Sequence, residues 1–269
     1  MIYFPPCKIN LGLNVVAKRP DGYHDLATCF YPVPWNDILE IIPARELSFS
    51  YTGLSIPGST AENLCLKAYH LLKKDFDIGP VRIHLHKIIP MGAGLGGGSS
   101  DAAWSLRALN EIFALKLSQS QLHTHATALG SDCAFFIQDK PMIGKGRGEV
   151  LSETSVVLKN KFIIMVKPDV HVSTAEAYAS IKAKAPETDL KKILEQYPIE
   201  EWRSVVKNDF EESVFKKHPV IAKVKSDLYS HGALYASMSG SGSAVFGVFS
   251  KPLDLKENFP QMSYWSGVL

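Results

Sequence analysis

The sequence lacks the features that define several broad classes of protein. Its four cysteines are widely spaced and form no CxxC pair, which argues against a structural zinc site or a disulfide framework. There is no run of about 18 apolar residues, so we expect no membrane span. The first ten residues lack the charged and apolar regions of a signal peptide. Together these absences predict a cytoplasmic protein with reduced thiols.

An excess of charge of one sign is also missing. The 269 residues include 29 Lys and Arg against 27 Asp and Glu, a formal charge of +2. Such a balance gives no general field for nucleic acid or for an anionic membrane, and we expect neither as a partner. An anionic substrate would therefore need local donors. The hydrophobic share is 46%, ample for a large core. At roughly 100–200 residues per domain, the length predicts two domains.

Hydrophobic periodicity predicts strands and helices in both halves of the chain. The predicted strands lie at 7–16, 81–89 and 161–167, with a further strand leading out of 238–249. The predicted helices lie at 59–74, 99–113, 208–230 and just before Gly130, and the polar stretch 183–201 is helix-like. Two capping boxes are predicted, at Ser59 with Glu62 and at Ser118 with Gln121. Because strands and helices do not alternate regularly, we expect an α+β fold, with two domains at 1–150 and 151–269.

The most informative stretch is the glycine-rich run PMGAGLGGGSSDAAW at residues 90–104. Positions 92–100 hold five glycines and two serines. Glycine loses too much backbone entropy for such a run to form a strand or a helix interior. The run opens onto a predicted helix, whose first N–H groups and positive dipole end suit an anion. From loop chemistry alone, a glycine-rich turn with a serine cap remains the alternative.

Three common phosphate-binding loops do not fit this run. Gly92, Gly94 and Gly97 match GxGxxG, but no acidic residue follows about 20 positions later to hold a ribose. The Walker pattern needs GK[ST], a tripeptide that the sequence lacks. The HRD, DFG and VAIK partners of a protein kinase are also missing.

Three stretches, taken in order, resemble the motifs of the GHMP kinases. They are CKINLGL at 7–13, the loop at 90–100 and SMSGSGSAVFG at 237–247. The resemblance implies a two-domain GHMP kinase fold, ATP with Mg²⁺ as cofactors, and a small-molecule alcohol as phosphoryl acceptor. The loop residues that it places around the ATP phosphates are Pro90, Met91, Gly92, Ala93, Gly94, Leu95, Gly96, Gly97, Gly98, Ser99 and Ser100. It also places Asn63 and Lys87 near the adenine or ribose.

The same resemblance assigns the catalytic residues. It makes Asp132 the general base and Lys8 the group that neutralises charge beside it, while Asn10, on the same strand face as Lys8, would hold a substrate hydroxyl. From the residues alone, Lys8 would be an exposed lysine on an edge strand. Asp132, two residues after Gly130, would be a helix cap.

Further strings narrow the expected substrate. RPDGYH at 19–24, GSDCAFF at 130–136, GKGRGE at 144–149 and VKPDVHVSTAEAY at 166–178 resemble the GHMP members that act on cytidine diphosphate methylerythritol. By resemblance, Tyr23 and Tyr178 stack on the cytosine, His24 hydrogen-bonds its edge, and Thr174 lies near the substrate. Without the resemblance, Tyr23 would be a half-buried packing residue and His24 an ordinary polar group.

Two other functions stay open at this point. One is another GHMP kinase, of the mevalonate or homoserine type, against which the GYH segment argues. The other is a non-catalytic nucleotide sensor, against which the presence of both Lys8 and Asp132 argues. We interpret His84 and His86 as a solvated strand face rather than as metal ligands. The sequence allows a monomer or a homodimer, and it assigns no role to residues 183–206.

Overall fold

The structure is a computed structural model that describes residues 1–179 and 181–269. Its strands, in chain order, are β1 (Ile2–Tyr3), β2 (Pro6–Lys18), β3 (His24–Asn36), β4 (Ile38–Pro43), β5 (Ser48–Gly53), β6 (Val81–Lys87), β7 (Met142–Gly146), β8 (Val150–Glu153), β9 (Phe162–Lys167), β10 (Tyr235–Met238), β11 (Val245–Phe249) and β12 (Ser263–Val268).

The α-helices, in chain order, are α1 (Leu64–Asp75), α2 (Gly97–Ile112), α3 (Gln119–Leu129), α4 (Cys133–Gln138), α5 (Thr174–Tyr178), α6 (Leu190–Gln196), α7 (Trp202–Val205), α8 (Glu211–Lys217) and α9 (Pro219–Ser230). Short 3₁₀ turns lie at Thr60–Glu62, Ile199–Glu201 and Lys256–Asn258. The mixture of helices and largely antiparallel sheets confirms the α+β class.

The first compact unit comprises Met1–Cys7, Trp35–Met91 and Gly96–Lys140. Its sheet has the order β1-β4-β6-β5, with β5 parallel to β6 and the other pairs antiparallel. The helices α1 to α4 pack against one another, and α2 also packs on β4. In β6 the apolar side chains of the predicted alternation are buried while Arg82 is exposed, because one face of the strand is covered.

The second compact unit comprises Lys8–Pro34, Gly92–Leu95 and Pro141–Leu269. It contains the sheet β10-β11-β9-β12 and most of the sheet β2-β3-β7-β8. Helix α9 packs on β10 and β11. The core of this unit joins side chains from both sheets to α8 and α9, among them Leu13, Val15, Ile164, Val166, Phe210, Val224, Leu228 and Val245.

Several predicted elements are confirmed, and three helical predictions need correction. The capping box at Ser118 and Gln121 is present at the start of α3. The box at Ser59 and Glu62 is wrong, because α1 begins five residues later and is capped by Asn63, whose side chain accepts a hydrogen bond from the Cys65 N–H at 2.9 Å.

The stretch predicted to be helical at 208–230 is helical over most of its length, but it begins with a turn and is not continuous. It is divided into α8 and α9 between His218 and Pro219, because Pro219 has no N–H to continue a helix and instead occupies the first turn of α9. The helix-like stretch 183–201 is helical only over α6 and the short 3₁₀ turn that follows the next proline, Pro198.

Three further predictions concern the cysteines, the membrane spans and the domain division of the chain. All four cysteines are buried as thiols. Among the helices of residues 1–179 and 181–269, none combines the length and hydropathy that a membrane crossing requires. Both compact units are built from separated stretches of sequence. The division of the sequence into domains near residue 150 stays a prediction.

Candidate active site

The strand β2 places two polar side chains inside the second unit. Lys8 and Asn10 are 3% and 1% exposed, so the alternative of an exposed edge lysine is wrong. The Lys8 ammonium donates to Asn10 Oδ1 at 2.7 Å and to the Gly94 carbonyl at 3.0 Å. Asn10 in turn donates to Thr28 Oγ1 at 2.9 Å. A buried ammonium in a fixed position is suited to stabilise negative charge on a bound ligand.

The glycine-rich loop approaches a second glycine loop, residues 238–244, which join β10 to β11, backbone to backbone. Gly92, Gly94 and Gly96 all have positive φ, a conformation that glycine adopts without strain. A Cβ on Gly94 would lie 1.9 Å from the Ser239 carbonyl oxygen. The Ser239 hydroxyl donates to the Gly94 carbonyl at 2.9 Å. Both the conformation and the lack of space therefore require glycine at position 94.

The loop ends at α2, as the sequence predicts. Gly96 is the N-cap, and Ser99 and Ser100 lie in the first turn. The first N–H groups of a helix have no carbonyl acceptor within the helix, so this end can bind an anion. The Ser100 hydroxyl is buried, and the residues that the structure describes offer it no hydrogen-bond partner. A buried hydroxyl in that state is consistent with a ligand-binding role at this turn.

Next to this helix end, one lysine is paired with two carboxylates. Lys87 Nζ donates to Asp37 Oδ2 at 2.5 Å and to Asp101 Oδ2 at 2.7 Å. Asp37 Oδ1 also accepts from the N–H groups of Ile88 and Ile89 at 2.6 and 2.8 Å. The three charged side chains are at most 3% exposed. These contacts hold the end of β6 and the first turns of α2 close to Asp37, which lies between β3 and β4.

This buried group of charges shifts the pKa values of its members. Burial lowers the pKa of Lys87, but the charges of Asp101 and Asp37 outweigh it and the net pKa is raised. Burial raises the pKa of Asp101 to about 7; Lys87 opposes the rise and Asp37 adds to it. Two carboxylates around one ammonium leave a surplus negative charge, which makes ionisation of the second carboxyl unfavourable.

Four of the predicted nucleotide-binding residues line one cavity of about 110 Å³ in the first unit. They are Asn63, Lys87, Met91 and Gly98. The other residues of its wall are Ile56, Pro57, Ser59, Glu62, Leu64, Leu85 and Asp101. The structure thus brings residues from β6, α1 and α2 around a pocket at the start of α2.

Asp132 lies at the N-cap position of α4 and is half-buried. Within the residues that the structure describes, its side chain makes no capping hydrogen bond, so the helix-cap interpretation is not supported. The neighbouring Cys133 thiol is buried, which raises its pKa to about 12 despite a hydrogen bond with Ser99. A thiolate nucleophile is therefore not formed beside Asp132 at neutral pH.

The predicted substrate-binding aromatics lie in the second unit. Tyr23 lies at the end of a turn that is closed by a hydrogen bond from the Arg19 N–H to the Tyr23 carbonyl. Tyr23 is 56% exposed. The Arg147 guanidinium lies over that ring, 4.7 Å from the centroid. The ring stacked on Tyr178 is that of His24, with centroids 4.8 Å apart. Thr174 is exposed and begins α5, four residues before Tyr178.

Two parts of this arrangement have only a weak sequence signal. Asp37 is a single acidic residue between β3 and β4, and the partners of its side chain are 50 and more positions away. Arg147 belongs to the GKGRGE string, but its contact with Tyr23 depends on the pairing of β3 with β7. The histidines at 84 and 86 hydrogen-bond with Ser50 and Thr52 on the neighbouring strand.

Comparison with known proteins settles the family. The model of the GHMP kinases N terminal domain matches residues 63–140, and that of the GHMP kinases C terminal region matches residues 190–260. A Cytophaga hutchinsonii protein is 52% identical over 262 residues, covering 96% of each chain. The chain belongs to the GHMP kinases. This confirms the family that the three motifs predict.

The relatives and the structural neighbours carry the following names. The Cytophaga hutchinsonii protein is named 4-diphosphocytidyl-2-C-methyl-D-erythritol kinase, as is a Bacteroides thetaiotaomicron protein that is 51% identical over 261 residues and covers 96% of this chain and 95% of its own. A crystal structure of 4-(cytidine 5'-diphospho)-2C-methyl-D-erythritol kinase superposes with a TM-score of 0.80 at 33% identity, over 92% of this chain and 90% of that one. A homoserine kinase structure from Cytophaga hutchinsonii shares the fold, with a TM-score of 0.67 at 16% identity over 99% of this chain and 93% of its own.

Proposed function

We propose that this GHMP kinase transfers the γ-phosphoryl group of ATP to the 2-hydroxyl of 4-diphosphocytidyl-2-C-methyl-D-erythritol, a step of the methylerythritol phosphate pathway to isopentenyl diphosphate in the cytoplasm. The observation that carries the proposal is the stack of His24 on Tyr178, with the exposed ring of Tyr23 next to His24 in the sequence. It offers flat ring faces and a hydrogen-bonding edge, which a cytosine requires and which mevalonate or homoserine would not use. The names of the Cytophaga hutchinsonii and Bacteroides thetaiotaomicron relatives, which are 52% and 51% identical to this chain, support the same substrate.

ATP is bound, in this proposal, by the start of α2 and the loop before it. The phosphates face the N–H groups of the first turn, and the Ser100 hydroxyl supplies a donor or a metal ligand. The cavity lined by Asn63 and Met91 receives the adenine or ribose. Mg²⁺ would be held here by the Ser100 hydroxyl together with the phosphates of ATP, because oxygen atoms are its preferred ligands. When bound, it would neutralise phosphate charge.

Lys87 has a different role in this proposal. Its ammonium is held by two buried carboxylates, at 2.5 and 2.7 Å. A charge committed in this way is a weak ligand for a further anion. We therefore assign Lys87 to the wall of the nucleotide pocket, where it fixes the position of α2.

Phosphoryl transfer depends mainly on positioning and on charge stabilisation. Asp132 accepts the proton of the substrate hydroxyl as the hydroxyl oxygen bonds to phosphorus and the bond to the ADP oxygen breaks. Lys8 stabilises negative charge in the transition state through its buried ammonium. Asn10, which accepts one hydrogen bond from Lys8, orients that ammonium and the methylerythritol hydroxyls.

The cytosine inserts beside Tyr23, with Tyr178 as the second ring. In the structure the face of Tyr178 is covered by His24. Binding therefore requires His24 to leave this face, after which its ring nitrogens can bond the edge of the base. Arg147 lies over Tyr23 and has to move as well if cytosine takes that face. Thr174, at the exposed start of α5, contacts the methylerythritol diphosphate portion.

A substrate screen tests the proposal. ADP release is measured with the cytidine diphosphate substrate, mevalonate and homoserine, each with ATP and Mg²⁺. We expect turnover with the first alone. The uridine diphosphate analogue is the matched control, because it differs only at the base edge. Turnover of mevalonate or homoserine at a higher kcat/KM would favour the other GHMP kinases, and ATP binding without turnover of any substrate would favour a sensor.

A further inference from the structure

The segment Asn208–Glu211, with the sequence NDFE, has no role in the site described so far. It runs from the loop after α7 to Glu211, the first residue of α8, in the second unit, where the sequence predicts only the beginning of a helix. Residues 208–210 form a turn instead, in which the side chains of Asn208 and Phe210 are buried. Asn208 is 3% exposed and Phe210 is 2% exposed. A buried polar side chain in a turn has to be hydrogen-bonded, so its partners indicate what the turn holds.

The side-chain amide of Asn208 donates hydrogen bonds to the second glycine loop. Its Nδ2 donates to the carbonyls of Met238 and Gly240, both at 2.8 Å. Its Oδ1 accepts from the Phe210 N–H at 3.0 Å. Both donors of the amide group and one acceptor are thus used, on three backbone groups. Only an amide of this length offers two donors and an acceptor in this geometry.

The neighbouring acidic residues, Asp209 and Glu211, hydrogen-bond this turn to two other segments. Glu211 Oε1 accepts from the Met238 N–H at 2.8 Å and from the Ser237 hydroxyl at 3.0 Å. Asp209 Oδ2 accepts from the Val15 N–H at 2.8 Å, on the strand that carries Lys8. The turn is therefore attached both to the glycine loop and to β2.

The second glycine loop in turn contacts Gly94 and Asn10, the two residues that hydrogen-bond Lys8. A Cβ on Gly240 would meet the Gly94 Cα at 3.3 Å and Asn10 Oδ1 at 3.4 Å, so these backbones and the amide are in close contact. The Gly94 carbonyl accepts from both Ser239 and Lys8. A shift of Gly240 or Ser239 would move this carbonyl, and with it one of the acceptors that orient the ammonium.

We propose that Asn208 is a positioning residue for phosphoryl transfer. By holding the carbonyls of Met238 and Gly240, it fixes the second glycine loop and so the Gly94 carbonyl that orients Lys8. The inference rests on the proposed function for the role of Lys8, while the contacts from Asn208 to Gly94 stand independently of the substrate. Displacement of a catalytic group by about 1 Å lowers a rate by as much as about 100-fold.

Two variants separate positioning from packing. Asn208→Asp keeps the shape and the acceptor for Phe210 but replaces the two donors with an oxygen that repels the carbonyls. Asn208→Ala removes the whole amide. Asn110→Asp is the matched control, because Asn110 also accepts from a backbone N–H at 2.9 Å and donates to a backbone carbonyl, both of Leu117, away from the proposed catalytic residues.

The decisive measurement is a single turnover with enzyme in excess over the cytidine diphosphate substrate, at saturating ATP and Mg²⁺. The rate constant reports the transfer step, and the amplitude reports the fraction of active enzyme. For Asn208→Asp and Asn208→Ala we expect a rate constant lowered about 10- to 100-fold with nearly full amplitude, and for Asn110→Asp the wild-type rate constant. A wild-type rate constant with reduced amplitude at Asn208 would show a merely structural role and overturn the proposal.

Hydrogen exchange gives a readout that needs no substrate. In Asn208→Asp the amides of residues 238–244 should exchange faster than in wild type, while Asn110→Asp leaves them unchanged. Wild-type protection of this loop in Asn208→Asp would overturn the proposal even if activity fell. Absence of transfer by the wild-type protein would overturn the proposed function instead, and the exchange result would still decide whether Asn208 holds the loop.

Discussion

The rings of His24 and Tyr178 lie face to face, 4.8 Å between centroids and 23° between planes. Tyr178 also meets Phe210 edge to face, with centroids 4.8 Å apart. The phenol ring is thus in contact with the buried Phe210 and stacked on an imidazole. A flat ligand that displaces His24 exchanges one stacking contact for another, so little free energy is lost when this face is opened.

Removal of the Tyr23 ring should weaken substrate binding more than catalysis. The cytosine lies away from the hydroxyl that is phosphorylated, so its contacts are similar in the ground and transition states. Stacking on a base is worth about 1–3 kcal/mol, which predicts a KM for the cytidine substrate about 5–150-fold higher in Tyr23→Ala, with a smaller change in kcat. Steady-state kinetics measures both constants.

Two controls accompany this variant. Tyr23→Phe keeps the ring face and should have a nearly unchanged KM. Tyr51→Ala removes another exposed tyrosine, 43% accessible, outside the proposed site, and should behave as wild type. Equal KM values for wild type and Tyr23→Ala would remove the stacking role.

Asp132→Asn should lower kcat by about 10²–10⁴-fold, because general-base catalysis contributes about this factor. The amide keeps the size of the side chain but cannot accept the proton. ATP affinity, measured by calorimetry, should stay near the wild-type value. A variant that kept more than about a tenth of wild-type kcat would eliminate Asp132 as the base.

Gly94→Ala should reduce ATP affinity, because the new Cβ would lie 1.9 Å from the Ser239 carbonyl oxygen and the two glycine loops would have to separate. Gly232→Ala is the control. Its φ is +91°, as unfavourable for alanine as the +77° of Gly94, but no atom lies within 4 Å of its Cβ. Both variants carry the backbone strain of about 1–2 kcal/mol, and only Gly94→Ala should bind ATP more weakly. Equal ATP dissociation constants would contradict the role of the loop contact.

Asp101→Asn should make the stability of the protein less dependent on pH. The pKa of Asp101 is raised to about 7 by burial, with Asp37 adding to the effect and Lys87 opposing it. A carboxyl whose pKa is higher in the folded than in the unfolded state favours folding when protonated, so the wild-type protein loses stability as pH rises from about 4 through 7. Asparagine does not titrate and still accepts a hydrogen bond from Lys87.

Thermal unfolding of both proteins at about pH 5 and about pH 8.5 checks this prediction. The Tm of Asp101→Asn minus that of wild type should be larger at the higher pH. A difference that stayed constant, or that fell with pH, would show that Asp101 does not bind a proton preferentially in the folded state.

The sequence predicts best what is decided locally. The alternation of β6, the cap at Ser118 and the conformation of the glycine loop all depend on neighbours within a few positions. The sequence alone does not decide the α1 cap, because Ser59 and Asn63 both precede the apolar stripe with suitable side chains, and only the packed helix selects Asn63. The helix break at 219 has a local signal, the proline itself, which the periodicity obscured.

Contacts between distant segments are what the sequence does not show. The Lys8 ammonium hydrogen-bonds a carbonyl of a loop 86 positions away in the sequence. The ion pairs of Lys87 likewise depend on the distant residues Asp37 and Asp101. A lysine next to apolar residues is compatible with an exposed edge or with a buried ion pair, and local periodicity does not distinguish them. The family motifs supplied the functional interpretation of Lys8, and the folded chain supplied its partners.

Identification of the product is the most direct test of the proposed phosphoryl transfer. The full chain is incubated with ATP, Mg²⁺ and the cytidine diphosphate of methylerythritol, and the mixture is followed by ³¹P NMR. We expect one new phosphomonoester resonance, from the phosphorylated 2-hydroxyl, formed in equal amount with ADP while the diphosphate resonances of the substrate persist. ADP formation without this resonance, or transfer to mevalonate or homoserine in its place, would contradict the proposed activity.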